Sequence, residues 1–155
     1  MIIEKVKGHL KDTDVHGRKL VYVDIEWFEK DKKLMRKTAS DGTEVGLRLQ
    51  VPVRDGDILY EDAERLIVVR ILPTELIHID VFSMREMGRL CFEIGNRHLS
   101  VSIQDSFAEI PYDAPTFEYL QKLGFKAERI QGIFDHFTVC HAHGEHSHHT
   151  HDAEK

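Results

Sequence analysis

Cysteine is scarce: Cys91 and Cys140 are the only two in 155 residues. They form no CxxC and no disulfide-framework spacing, so neither a stapled secreted fold nor a thiol redox motif is indicated. Long apolar runs are missing, and none approaches the length needed to cross a bilayer. The N-terminal stretch MIIEKVKGHLKD carries charge every few residues and has no apolar h-region, so no signal peptide is expected. Together these absences predict no membrane partner and a reducing, cytoplasmic location. Positive charge is also short, with 21 Lys and Arg against 27 Asp and Glu and a formal net charge of −6. That balance argues against a nucleic-acid partner and suits attraction of cations. Catalytic signatures are absent too: no HExxH, facial triad, nucleophile elbow or P-loop occurs. A catalytic metal site needs a fixed shell of about three ligands with an open position. The sequence offers none, so the reading is of a protein that is not an enzyme.

What the chain has in quantity is histidine, 11 in all. His141, His143, His146, His148, His149 and His151 are strung through Ala, Gly, Glu, Ser and Thr in the last fifteen residues. Such a stretch cannot bury enough surface to offset the entropy of ordering, and a disordered tail is expected. It presents imidazoles at high local concentration, ligands that suit zinc, copper, iron and nickel. Competing readings are an expression tag, a plain solvated tail and a buffering tail that binds metal without delivering it. The acids interspersed in HAHGEHSHHTHDAEK argue against a tag.

Along the chain, the first half reads as strands. Val21, Val23, Ile25 and Trp27 share one face of Leu20–Phe28, and Val45, Leu47, Leu49 and Val51 share one face of Thr43–Val51. Ile2–Lys7, Ile58–Tyr60 and Arg65–Leu72 complete the set, with Asp41-Gly42 and Asp55-Gly56 as turn dipeptides. His9 and His16 read as solvated strand-end or loop residues. From Glu75 the pattern changes. Leu76–Phe82 reads as a strand, and Ser83 with Glu86 as a capping box opening a helix whose apolar side includes Met84, Met87 and Cys91. Gly95-Asn96 is the expected stop. His98–Gln104 and Phe107–Ile110 read as strands, a second helix starts at Asp113 and Pro115 and ends at Gly124, and Lys126–Phe134 reads as a last strand. The order is β-α-β-β-α-β, the ferredoxin-like motif. The expected organisation is α+β: an N-terminal β domain over 1–75 for partner or peptide binding, a ferredoxin-like domain over 76–140 for metal binding and dimerisation, and the tail over 141–155. Two cores of about 70 residues are each marginal, which makes self-association attractive.

His98 is the histidine of the folded part with an informative position, just past a helix stop in Gly95-Asn96-Arg97-His98. A basic residue there meets the last carbonyls and the negative dipole end of the helix. The functional alternative is a metal ligand facing solvent or a partner, with a two-fold axis supplying the second copy. Asp135-His136 and Cys140-His141 precede the tail, making His136 and Cys140 possible additional ligands. A thiolate at Cys140 would favour zinc or copper(I).

Glu86-Met87-Gly88, Phe92-Glu93-Ile94-Gly95-Asn96-Arg97-His98, Glu26-Trp27 in a β-rich first half and the His-rich tail together resemble the UreE family of urease accessory nickel metallochaperones. The resemblance covers essentially the whole chain. It implies an N-terminal β domain joined to a ferredoxin-like domain, with His98 binding Ni2+ together with its symmetry mate at a homodimer interface and the tail histidines adding ligands. It further implies delivery of nickel to apo-urease alongside a GTPase accessory protein, with dimers able to pair around a metal. Zn2+ or Cu2+ could bind the same nitrogens, and copper(II) outranks nickel there, so selectivity must come from geometry, supply or partner recognition. At 110–114, where some relatives carry more histidines, this chain has Ile-Pro-Tyr-Asp-Ala. The alternative function is nickel or zinc storage without delivery.

Overall fold

The computed structural model describes residues 1–138. Its first half holds β1 (Ile2–Ile3), β2 (Gly8–His9), β3 (Lys19–Ile25), β4 (Leu34–Thr38), β5 (Glu44–Arg48), β6 (Asp57–Glu61) and β7 (Arg65–Ile71). They form two sheets, ordered β1-β5-β4 and β2-β6-β7-β3. The period-two pattern of β3 turns Val21, Val23 and Ile25 fully inward, where they meet Val45 and Leu47 of β5 and Ile67, Val69 and Ile71 of β7. β3 and β7 run parallel over seven residues, from Lys19 opposite Arg65 to Ile25 opposite Ile71. Asp41-Gly42 joins β4 to β5 and Asp55-Gly56 leads into β6, each with its glycine at positive φ, +87° and +85°.

Three expectations shift in this half, the first being that the strand read over Ile2–Lys7 is reduced to Ile2–Ile3. The inward phase of 43–51 is lost after Leu49, so Val51 is 60% exposed and Val53 is buried instead. The strand read over Leu20–Phe28 stops at Ile25, and Trp27–Glu29 forms a 3-10 turn from which Trp27 still packs on the core. β4 was invisible to periodicity because its inward positions are Met35 and Lys37. The Lys37 ammonium is held by the Glu29 carboxylate at 2.5 Å, so no apolar alternation marks the strand.

The second half supplies β8 (Thr74–Asp80), α1 (Met84–Asn96), β9 (Ser102–Ile103), β10 (Phe107–Pro111), α2 (Ala114–Lys122) and β11 (Lys126–Gly132), the β-α-β-β-α-β order in a sheet ordered β11-β8-β10-β9. Leu90, Ile94 and Leu120 of the helices bury against Ile77, Ile79, Ala108 and Ile110 of the sheet. At the start of α1, Ser83 Oγ accepts from Glu86 N at 3.1 Å, while the Glu86 carboxylate accepts from Phe82 N at 2.8 Å rather than from Ser83. Asp113 caps α2 by accepting from Thr116 N at 3.0 Å. Met84 is 92% exposed and so is no core residue, and Cys91 is half-buried, its thiol pKa pushed up by burial. Of the strand expected over His98–Gln104 only Ser102–Ile103 pairs with β10, and β11 ends at Gly132.

The described residues form two compact units: Met1–Leu76 with Arg129–His136, and Ile77–Glu128 with Phe137 and Thr138. Within the first, Phe134 packs edge-on against Trp27 at 5.2 Å between centroids. Lys30 donates to the Asp135 carboxylate at 2.7 Å and to its carbonyl, with both side chains 10% exposed. Among the described residues no helix is long and apolar enough to cross a membrane.

Candidate metal centre

Each helix of the second unit must dispose of its last carbonyls, and α1 does so in an unusual way. Its cap is Arg97, one residue beyond the Gly95-Asn96 expected to stop it. His98 follows in the left-handed region at φ 57°. His98 N donates to Gly95 O at 3.0 Å and Leu99 N to Ile94 O at 3.4 Å. These are the paired closing bonds of a helix C-terminus whose left-handed residue is most often glycine. Leu99 then packs into the core beside Ile94. A β-carbon in that region costs about 1–2 kcal/mol, although histidine is tolerated there more often than most residues. Arg97 fixes the turn from α2: its guanidinium lies 4.3 Å over the Tyr119 ring and donates to Thr116 Oγ1 at 3.3 Å. The exposed imidazole of His98 is thereby carried on a backbone pinned from both sides.

Three residues further on, Val101 pairs with Thr138. Val101 N donates to Thr138 O at 3.1 Å, and Thr138 N donates back to Val101 O at 2.8 Å. The chain therefore enters its His-rich segment from a point tied beside the His98 turn. Nothing in the sequence marks this bridge, because a single antiparallel pair carries no period.

Of the other ligand candidates, His136 is exposed in the first unit. Cys140, His141, His143, His146, His148, His149 and His151 lie outside the described residues. Among the described residues no group of three or more His, Cys, Asp and Glu side chains could hold a metal ion. His9 is tied down: Nδ1 accepts from Lys11 N at 3.1 Å, and Nε2 lies 2.9 Å from Asp55 O. His16 is exposed at φ 45° beside Asp14.

Sequence reading passed over His78, which stands on β8 between two carboxylates. Nδ1 lies 2.8 Å from Glu109 Oε1 and Nε2 3.2 Å from Asp80 Oδ1, with the ring tilted over Phe107 at 4.6 Å. Lys126 pairs with the other oxygen of Asp80 at 2.9 Å. Burial alone lowers the imidazole pKa, but the hydrogen bonds and charges of Glu109 and Asp80 outweigh it and raise the value above 6.5. Only the doubly protonated ring can donate to both carboxylates, and because they sit on opposite ring edges they do not converge on one ion. The missed signal was the alternation of His78 and Asp80 with the buried Ile77 and Ile79, which turns both outward on one face.

Comparison with known proteins bears on both units. A family model described as UreE urease accessory protein, N-terminal domain, matches residues 3–72, and one described as its C-terminal domain matches residues 74–155. A urease accessory protein UreE of Bifidobacterium longum subsp. infantis is 48% identical over 144 residues, which are 92% of this chain and 65% of that longer protein. The chain thus spans just under two thirds of that relative. A UreE of Flavobacterium johnsoniae is 34% identical over 95% of this chain and 93% of its own, and one of Helicobacter acinonychis 36% over 94% and 91%. With both halves matched in order, and relatives matched along nearly their whole length, the chain belongs to the UreE family of urease accessory proteins.

Proposed function

We propose that this protein is a nickel carrier in urease maturation: a homodimer that binds Ni2+ through paired His98 residues and tail histidines and passes it to apo-urease with an accessory GTPase. The observation that carries the reading is the hydrogen-bonded root of the tail at Thr138, beside the strained turn that presents His98. A ligand-rich segment tied there raises the effective concentration of imidazoles around His98 without any new contact. Ring nitrogens exchanged one at a time let the ion pass to a recipient without becoming free.

The outer face of α1 supports self-association. Met84 and Phe92 are 92% and 67% exposed, and Gly88 and Gly95 leave open space where a β-carbon would stand. Glycine within a helix costs about 1 kcal/mol against alanine, and among the described residues no contact requires it at Gly88. Close approach of a second α1 would. The first unit is read as the part that docks a partner protein of the maturation machinery.

The test is nickel titration with proton-release detection, combined with light scattering, on wild type and His98→Ala. The dimer is expected to persist while high-affinity binding is lost, and wild-type affinity should fall as pH drops through about 6.5, where imidazole protonates. Nickel uptake unchanged by replacing His98 and the tail histidines would overturn the reading. Nickel-loaded protein that fails to activate apo-urease would favour storage.

A further inference from the structure

On the sheet formed by β1, β5 and β4, the face turned away from the core holds a groove. Leu34 stands opposite Arg48, and Arg36 opposite Gly46, which also faces Ile2 of β1. The alternate positions Val45 and Leu47 point into the core. The groove has a volume of about 340 Å³, with Gly46 on its floor, Ile2 and Leu34 on its walls and Arg36 and Arg48 at its rim. Ile2 is 71% and Leu34 70% exposed, so both apolar side chains face water. Gly46 is not required by its backbone, which has no positive φ, and an added β-carbon would lie 3.6 Å from Met1 O, an ordinary contact. The missing side chain is what leaves the floor open.

Charge says what fits. In a chain of net charge −6, the stretch Lys32-Lys33-Leu34-Met35-Arg36-Lys37 leading into β4 carries four cations, of which Lys32 and Lys37 pair with Glu29. Among the described residues Lys33 and Arg36 have no ion-pair partner, and Arg48 meets only Glu4, at 3.5 Å between largely exposed groups. Such a surface pair contributes little and exchanges readily. Two guanidiniums flanking an apolar floor suit carboxylates on either side of a large apolar side chain. A second copy does not fit: β4 against β4 would bring the exposed Lys33 and Arg36 against the same cations of the other copy. The segment 139–155 does not fit either: its one branched apolar residue, Val139, stands between Thr138 and Cys140 with no carboxylate beside it.

From this juxtaposition we infer that the groove over Gly46 docks an extended acidic segment of another protein, seating one branched apolar or aromatic side chain between Ile2 and Leu34 with flanking carboxylates on Arg36 and Arg48. The inference rests on the reading of the first unit as a docking unit and adds the place and the chemistry of the occupant. β4 is the last strand on its side of the sheet, so the segment can also hydrogen-bond along its free edge.

The experiment titrates the full-length protein with a capped eight-residue peptide carrying acidic residues on both sides of a central Ile-Leu pair, followed by calorimetry and amide NMR. Saturable binding is expected, with shifts at Leu34–Arg36 and Gly46–Arg48. Binding should weaken at least tenfold in R36E/R48E, which reverses the rim charge, and in Gly46→Val, which fills the floor with a residue suited to a strand. Lysines in place of the acids should abolish it. No saturation at millimolar peptide, equal binding of the lysine peptide, or wild-type affinity in both variants would overturn the inference. Nickel titration of the same variants judges the carrier reading separately, since neither touches the second unit. Loss of urease activation by these variants without any acidic-peptide binding would keep a docking role for this unit and remove the occupant named here.

Discussion

The two helices of the second unit end in the same way on different residues. At α2 the left-handed position is Gly124, φ +87°; its N–H donates to Gln121 O at 3.0 Å, and Phe125 N donates to Leu120 O at 3.1 Å. At α1 the same two bonds form around His98 at φ 57°. Both motifs send the following residue, Phe125 or Leu99, into one core. Gly124 is what stability alone selects. His98 holds a geometry its β-carbon disfavours, as His16 does at φ 45°, and under the carrier reading that cost keeps an imidazole at the end of α1.

The comparison can be broken at either end. The largest effect is expected from His98→Gly, which should lose nickel affinity by at least about tenfold, as judged by the losses that follow removal of mere supporting groups around metals. The same variant should gain about 1 kcal/mol in stability by denaturant unfolding, since glycine relieves the left-handed strain. A stability loss there would show that the imidazole is held for packing. Gly124→His should destabilise by about 1–2 kcal/mol, because a β-carbon meets no atom within 4 Å and only the backbone cost remains. If it is tolerated without loss, the strain argument at His98 fails with it.

Next in size is Thr138→Pro, which removes the N–H given to Val101. Nickel affinity should fall about threefold in titration while His98 still binds, because a loosened root lowers the effective concentration of tail ligands. The smallest effect is expected at His78, the histidine held for structure. Its raised pKa means that its stabilisation is fully present below about pH 6.5 and fades as pH rises through the higher folded value. His78→Gln should therefore cost more stability at pH 6 than at pH 9, with nickel binding unchanged. Equal costs at both pH values would remove the charged pairing with Glu109 and Asp80.

Much of this was legible in the residues. Period-two patterns marked β3 and β5, Arg65–Leu72 was read as the strand that is β7, and turn dipeptides marked the glycines at 42 and 56. The caps at Ser83 and Asp113 together with the stop at Gly124 marked the helices, and so the β-α-β-β-α-β order. Segments governed by charge rather than hydrophobicity were not legible. β4 hides behind Lys37, and the buried Lys30–Asp135 pair joins residues 105 apart with nothing local to announce it. At the candidate centre, the motif Gly95-Asn96-Arg97-His98 pointed to the right turn but misassigned its chemistry. The helix runs to Asn96, and the histidine itself, not the glycine, takes the left-handed position. The Val101–Thr138 bridge depends on tertiary proximity, which sequence spacing does not encode.

The parallel pairing of β3 with β7 has a consequence for how the chain is made. Residue 19 finds its partner at residue 65, so Val21, Val23 and Ile25 leave the ribosome long before the strand that covers them. At roughly 5–20 residues per second, those 46 positions take about 2–9 s to synthesise. Throughout that interval an unpaired strand of β-branched residues is open to aggregation or to chaperones. Slowed translation between the two strands should lower soluble yield more than the same delay placed after residue 71.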